Sequence, residues 1–245
     1  MEPPVNASSP FFEYNTLFEP FGTQHLLMVS LIVLSVVGVP FVANRFLDAR
    51  RRLYLSRIIA IIVSLTIVGW MMIRVALGDF DAQTDLPLHV CNLAALLMPV
   101  LMWNPSRRVH EVLYFLVLAG TLQGVITPHL FDAFPPFTFF RYWIVHGGLI
   151  LCAVYYTLSL GLYPDRRSIF KALGWLNVYA VVIFFVNLPL GSNYFYVMRK
   201  PPTASLLDWF GPWPWYILVC EGLALILFAL IYAPLELIRK RKQPA

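Results

Sequence analysis

Cys91 and His146 are the two side chains in this sequence best suited to covalent chemistry. A cysteine thiolate is a strong nucleophile, and an adjacent imidazole can generate it by accepting the thiol proton. A buried cysteine can equally serve as a small apolar residue of a core. Residue type alone therefore leaves both roles open for Cys91.

Further polar side chains fall at a similar predicted depth, within otherwise apolar stretches. His89 and Asn92 flank the cysteine, while Gln123, Glu221 and Arg74 lie on three other stretches. Ionisable groups inside membrane spans are costly and usually face the interior of the bundle. We therefore predict a polar pocket in the outer half, whereas the inner half has little beyond Ser64, Thr66, Ser159 and Asn177.

The spacing of His89 and Cys91 resembles half of a metal site. Residues two apart on a helix point in nearly opposite directions, so both could bind one ion only if the helix began between them. Cys91, His146 and Glu221 could supply three ligands, but no spacing typical of zinc sites is present. We predict no metal and no cofactor.

Arg74 and the residues before the last apolar stretch have structural alternatives. Arg74 could extend to the outer interface or pair with Glu221 or Asp85. The long link from Pro189 to Pro212 could form a lid on the outer leaflet, or its aromatic end could simply anchor a helix at the interface. As a lid it would contribute three polar candidates: Asn193, Tyr194 and Lys200, the last near lipid phosphate.

The elements that must position these residues are apolar stretches of bilayer length. Of the 245 residues, 59% are hydrophobic and 13% are charged, and the mean hydropathy is +0.70. A helix of about 17–25 apolar residues crosses ~30 Å of hydrocarbon. The sequence therefore predicts an all-α, seven-transmembrane-helix bundle over Leu26–Val42, Ile58–Leu77, Leu86–Trp103, Val109–Ile126, Phe137–Leu160, Ile169–Leu188 and Trp213–Leu237.

Basic residues are concentrated in alternate loops, which predicts the orientation. One set of loops carries only Arg141, Arg199 and Lys200. Because cytoplasmic loops are rich in lysine and arginine, we expect the N-terminus outside and the C-terminus in the cytoplasm. The predicted cytoplasmic set is Arg45, Arg50, Arg51, Arg52, Arg57, Arg107, Arg108, Arg166, Arg167, Lys171, Arg239, Lys240, Arg241 and Lys242.

The distribution of basic residues also indicates which classes of partner to expect. The net charge of +5 reflects topology, so we predict no nucleic-acid partner. We expect a single multi-pass domain of the cell membrane, with an external segment (1–23), the bundle (24–238) and a basic tail (239–245) near anionic head groups. The span with Glu111 and Gln123 is the weakest, but removing it would reverse the charge bias.

Several motifs resemble a known family over nearly the whole chain. The sequence is similar to the YwaF-like bacterial integral membrane proteins, which resemble vertebrate transmembrane protein 164. The resemblance lies in Leu86–Leu93, Ala119–Gln123, Phe140–Gly148, Gly191–Tyr194, Lys200–Pro201 and Gly211–Tyr216.

The vertebrate relative is understood as a lipid acyltransferase that works through a cysteine and a histidine. The resemblance implies that Cys91 and His146 hold these roles, and Asn92 stands where the vertebrate pattern has a second histidine. A more distant relation, the androgen-induced fatty-acid-ester hydrolases, uses a threonine and a histidine.

Two functional hypotheses follow. The first is an intramembrane acyltransferase or esterase acting on membrane lipid, in which Cys91 attacks the ester and His146 is base and then acid. Asn92 or Gln123 would stabilise the oxyanion. The second is a carrier or receptor that binds a small polar solute or lipid in the same pocket.

Overall fold

The computed structural model describes residues 17–201 and 206–242, with side chains described as far as Leu237. The predicted external segment falls mostly, and the side chains of the basic tail entirely, outside these described residues. The described ranges contain short 3₁₀ turns at Tyr194–Tyr196 and Leu206–Phe210, and the helices α1 (Thr23–Phe46), α2 (Ala49–Ala76), α3 (Val90–Leu101), α4 (Arg107–Ile126), α5 (Phe137–Leu158), α6 (Arg166–Leu190) and α7 (Trp215–Lys242).

In the described ranges, the regular secondary structure is helical apart from a single β-bridge between Leu17 and Asp132. Six helices in this part of the chain are long and apolar enough to cross a membrane, which confirms the predicted class of membrane-spanning helical protein. The exception is α3, whose 12 residues extend about 18 Å, well short of ~30 Å of hydrocarbon.

The helix predicted over Leu86–Trp103 is shorter at both ends because neighbouring elements hold the flanking backbone. At its start, the Leu86 N–H donates to the Tyr194 hydroxyl (2.9 Å), and the Tyr179 hydroxyl donates to the Leu88 carbonyl (2.5 Å). At its end, the Arg57 guanidinium donates to the Trp103 carbonyl at 2.8 Å. These partners replace helical hydrogen bonds with tertiary ones.

Contacts between helix ends show that α4 runs in the same direction as α6 and opposite to α1. Arg107, at the start of α4, pairs with Asp165, the N-cap of α6, at 2.8 Å. At the opposite end, the buried His25 ring near the start of α1 hydrogen-bonds the Val125 carbonyl near the end of α4 at 2.8 Å. The segment of α3 lies between the end of α2 and the start of α4, so it connects the two ends of the bundle.

A buried ionic cluster lies at the start of α4, in the half that we expected to be poor in polar groups. Glu111 is 4% exposed and pairs with Lys171 of α6 at 2.5 Å, while the Ser168 hydroxyl donates to its second oxygen at 2.9 Å. The expectation of a mostly apolar inner half was therefore wrong. A carboxylate is tolerated within the α4 span because α6 supplies both a cation and a hydroxyl donor.

Gly147 and Gly148 of α5 permit close packing against α1 and α2. A Cβ atom at Gly147 would lie 2.7 Å from Ile32 Cγ1, and one at Gly148 would lie closer still to Val63 Cγ2. Beside them, an open groove of about 290 Å³ with a largely apolar lining lies between α1, α2 and α5. The two glycines therefore serve helix packing.

Substituting either glycine tests this packing. We expect Gly147→Ala and Gly148→Ala each to lower the free energy of unfolding by about 1–3 kcal/mol, because the added methyl group overpacks the contact. Thermal unfolding of the detergent-solubilised protein measures the change. Gly69→Ala on α2 is the matched control, since a Cβ there meets no atom within 4 Å. Equal stability of all three variants would contradict the packing role.

Candidate active site

Cys91 lies in the first turn of α3 because the helix begins later than its sequence predicts. His89 is the N-cap residue, with extended backbone (φ −79°, ψ 142°), and Leu93 is the first residue whose N–H bonds back to it (2.9 Å). Among the described residues, the N–H groups of Val90, Cys91 and Asn92 therefore have no backbone acceptor. The thiol stands beside the positive end of the helix dipole.

Two glycines on α4 bring Cys91 and His146 to the same helix face. A Cβ atom at Gly120 would lie 3.3 Å from Cys91 Sγ, and one at Gly124 would lie 3.1 Å from His146 Nε2. Residues four apart share one face of a helix. We call this strip, defined by Gly120 and Gly124, the glycine face of α4. The thiol from α3 and the imidazole from α5 both pack against it.

The space between the two side chains is set by the same face. Within the described residues, no hydrogen bond joins the Cys91 thiol to the His146 ring, and their contact points on α4 are about 5–6 Å apart. The arrangement is suited to proton transfer through a bound substrate or a small movement of either side chain.

Tyr142 fixes the orientation and the tautomer of His146. The Tyr142 carbonyl lies 2.8 Å from His146 Nδ1, and a carbonyl can only accept, so Nδ1 carries the proton. The Tyr142 ring stacks on the imidazole with centroids 4.2 Å apart, and its hydroxyl donates to the Gly124 carbonyl at 2.7 Å. Nε2 thus presents its lone pair toward the glycine face.

The predicted alternatives for Arg74 are resolved in favour of Asp85. Arg74 Nε lies 3.1 Å from the Asp85 carboxylate, and the guanidinium also donates to the Asp79 carbonyl at 2.5 Å. Glu221 is half-buried on α7 and forms no ion pair with any described residue. Arg74 therefore stabilises the turn between α2 and α3.

The segment after α6 holds the start of α3 in place. The Tyr194 hydroxyl donates to the Ala82 carbonyl and accepts from Leu86, both at 2.9 Å, and burial raises its pKa to about 12. The buried Asn187 amide donates to the Tyr194 carbonyl (3.0 Å) and accepts from its N–H (2.9 Å). The Asn193 amide bridges to the backbone of Arg199. These polar groups shape the segment.

The remaining predicted site residues differ in their exposure and in their contacts. Asn92 is half-buried and makes no side-chain hydrogen bond to any described residue, and Gln123 is exposed on α4. The His89 ring packs against the rings of Tyr194 and Tyr196, both with centroids at 5.5 Å. Lys200 donates weakly to the Asp208 carbonyl at 3.4 Å.

Four residues beside the pair were not among the predicted site residues. Gly120 and Gly124 form a small-x-x-x-small pattern, a sequence signal of close helix packing. Tyr142 precedes His146 by one helical turn, the spacing at which two rings can stack. Arg141 was counted with the loop charges, but it lies one turn inside α5, over the Trp70 ring at 4.7 Å.

No group of three or more histidine, cysteine, aspartate or glutamate side chains in the described part of the chain is placed to hold a metal ion. The start of α3 does fall between His89 and Cys91, the condition under which both could face one ion. The His89 ring is instead packed among tyrosines.

Asn187 gives a direct test of the segment that positions α3. We expect Asn187→Ala to lower stability by about 1–3 kcal/mol, because three buried polar groups lose a partner. Trypsin should also cleave faster after the exposed Arg199. Asn177→Ala is the control, since that amide only donates to the carbonyl of Leu173 in its own helix. Equal cleavage rates for both variants would refute the positioning role.

Comparison with known proteins places the chain in a family. No curated protein and no solved structure gave a match. A family model does match, over residues 20–232, which include every helix from α1 to most of α7. The six apolar helices and this match agree on a multi-pass membrane protein. The chain therefore belongs to the TMEM164 family.

Proposed function

We propose that this protein is an intramembrane lipid acyltransferase or esterase that works through Cys91 and His146. The observation that carries the proposal is the packing of Cys91 Sγ and His146 Nε2 against one glycine face of α4. Family membership agrees with it, since the resemblance to vertebrate transmembrane protein 164 implies the same two residue types. By the same resemblance, we assign the chain to the YwaF-like bacterial members.

The reaction divides into two transfers. His146 Nε2 accepts the thiol proton, and the Cys91 thiolate attacks the ester carbonyl carbon of a membrane lipid. The tetrahedral intermediate collapses by breaking the bond to the glycerol oxygen, which takes the proton from His146, leaving an acyl thioester. The hydroxyl of water or of a lysolipid then attacks the thioester, His146 accepts its proton, and the thiol is restored.

The start of α3 supplies the best candidates for oxyanion stabilisation. The N–H groups of Cys91 and Asn92 have no backbone acceptor among the described residues and lie beside the attacking sulfur. Free N–H groups at a helix N-terminus stabilise developing negative charge. The Asn92 side chain is a further donor. Gln123 is a weaker candidate, because it is exposed on α4.

We further propose seven crossings in one membrane domain, with the N-terminus outside and the C-terminus in the cytoplasm. The relative directions of α1, α4 and α6 and the unequal distribution of basic residues both support this topology. The segment of α3 provides the third crossing, and the non-helical backbone just before it is hydrogen-bonded to the hydroxyls of Tyr179 and Tyr194. The catalytic pair then lies toward the outer leaflet, and the basic tail meets anionic head groups on the inner one.

Single substitutions of the pair provide the test. In nanodiscs that contain phospholipid with an isotopically labelled acyl chain and an unlabelled lysolipid, the wild-type protein should form labelled fatty acid or labelled lipid made from the lysolipid, and an acyl adduct on Cys91. We expect Cys91→Ala to abolish both, and His146→Gln to lower the rate about 10²–10⁴-fold, because the general base is lost. Mass spectrometry measures lipids and adduct, and hydroxylamine should release the acyl group.

Cys220→Ala is the matched control, since this half-buried free cysteine lies on α7 and does not line the glycine face. Its turnover should equal that of the wild type. Identical lipid turnover by Cys91→Ala and wild type would exclude the enzyme. A binding protein would instead show no turnover and a gradual loss of ligand affinity across pocket variants.

A further inference from the structure

Arg141 is a guanidinium inside the bundle with an unfilled hydrogen-bonding capacity. It lies one turn into α5, and its charged group stands over the Trp70 ring, 4.7 Å from the centroid. The Trp70 ring in turn stacks on Phe137, with centroids 6.2 Å apart and planes within 11°. The aromatic stack therefore fixes where the guanidinium lies.

The described part of the chain offers Arg141 no counter-ion. Its Nε atom is sealed from solvent without a hydrogen-bond partner, and no described carboxylate lies within 4 Å of its guanidinium. The carboxylate of Asp85 is close enough to interact electrostatically, but Arg74 occupies it at 3.1 Å. The Arg141 side chain is half-buried, and its sealed Nε donor lacks a partner, which is unfavourable, so this geometry is suited to an anion from outside the described residues.

The Arg141 charge also reaches the candidate catalytic side chains. It interacts electrostatically with His146, the proposed base, and with His89 at the start of α3. An anion bound at the guanidinium would thus sit at the edge of the proposed reaction centre. The guanidinium fork matches the oxygens of a phosphate or a carboxylate in a bidentate manner.

We propose that Arg141 binds the phosphate of a glycerophospholipid and thereby directs a nearby acyl ester to the pair of Cys91 and His146. This inference rests on the proposed function and names its substrate class, a phosphate-bearing lipid. Lys200, the residue that the sequence suggested for this role, donates to the Asp208 carbonyl instead. Arg74 is already committed to Asp85. Of these three residues, Arg141 is the one with a solvent-sealed donor that has no hydrogen-bond partner among the described residues.

Lipid binding tests the proposal without requiring turnover. Delipidated protein carrying Cys91→Ala is titrated with dioleoyl phosphatidylglycerol, with dioleoylglycerol or with inorganic phosphate, and native mass spectrometry gives the affinities. We expect tighter binding of phosphatidylglycerol than of dioleoylglycerol. Arg141→Gln should weaken phosphatidylglycerol about 10- to 100-fold, the effect of losing a hydrogen bond to a charged group, and leave dioleoylglycerol unchanged.

Arg199→Gln is the matched control, because Arg199 is an exposed basic residue predicted on the same outer side. Introduced into Cys91→Ala protein, it should leave the affinities for both lipids unchanged. Arg141→Lys keeps the charge but loses the planar fork, so it should lose part of the preference for phosphatidylglycerol over dioleoylglycerol. This variant tests the proposal if Arg141→Gln does not fold. Inorganic phosphate should compete only weakly, since it lacks the acyl chains.

Two outcomes would overturn the proposal. One is that adding Arg141→Gln to Cys91→Ala protein leaves its affinity for phosphatidylglycerol unchanged. The other is that Cys91→Ala protein binds phosphatidylglycerol and dioleoylglycerol with equal affinity. Strong binding of inorganic phosphate would replace the lipid by a soluble anion as the occupant. Because the assay uses Cys91→Ala protein, its result does not depend on whether the pair is catalytic. A preference for the phosphate-bearing lipid, without lipid turnover in the earlier assay, would refute the proposed enzymatic function and leave the binding role of Arg141 intact.

Discussion

The close approach of α3 and α5 to α4 at Gly120 and Gly124 is the contact on which the candidate site depends. A methyl group at Gly124 would meet the His146 ring at 2.8 Å, so glycine lets the Cδ2–Nε2 edge of the imidazole approach the helix this closely. At Gly120 the corresponding space is taken by the Cys91 sulfur. In a lipid environment helices gain little from the hydrophobic effect between them, so such small-residue contacts contribute much of their association.

The second constraint is that polar groups buried in a bundle need partners. The two ends of this bundle meet that constraint in different ways. Near the start of α4, Glu111 is satisfied by Lys171 and Ser168, which makes that cluster structural. At the opposite end, tyrosine hydroxyls form hydrogen bonds with backbone groups of the segment before α3, and these bonds set where that helix begins. Because the helix begins there, the N–H groups of Cys91 and Asn92 have no backbone acceptor among the described residues, and in the same part of the chain the Arg141 Nε lacks a hydrogen-bond partner.

The sequence was sufficient for the helical architecture because bilayer-length apolar runs have few alternative structures. It was insufficient for the ends of helices, which depend on tertiary partners. Nothing in Leu86–His89 reveals that hydroxyls from Tyr179 and Tyr194 will bond this backbone. The apolar pattern also missed that α2 begins at Ala49, where Asp48 caps the helix ahead of its apolar part. Arg141 was counted with the loop charges, although the predicted span Phe137–Leu160 contains it, because the positive-inside comparison includes charges near the ends of spans. The roles of Cys91 and His146 stay predictions.

The most direct measurement of the central claim is cross-linking of Cys91 to a cysteine introduced by His146→Cys, using a short bifunctional thiol reagent and mass spectrometry of the linked peptides. If α3 and α5 meet across the glycine face of α4, the two thiols should be bridged. Ile144→Cys, which lines the groove toward α1 and α2, should give no bridge to Cys91. Single alkylation of both thiols in His146→Cys protein without any bridge between them would contradict the account.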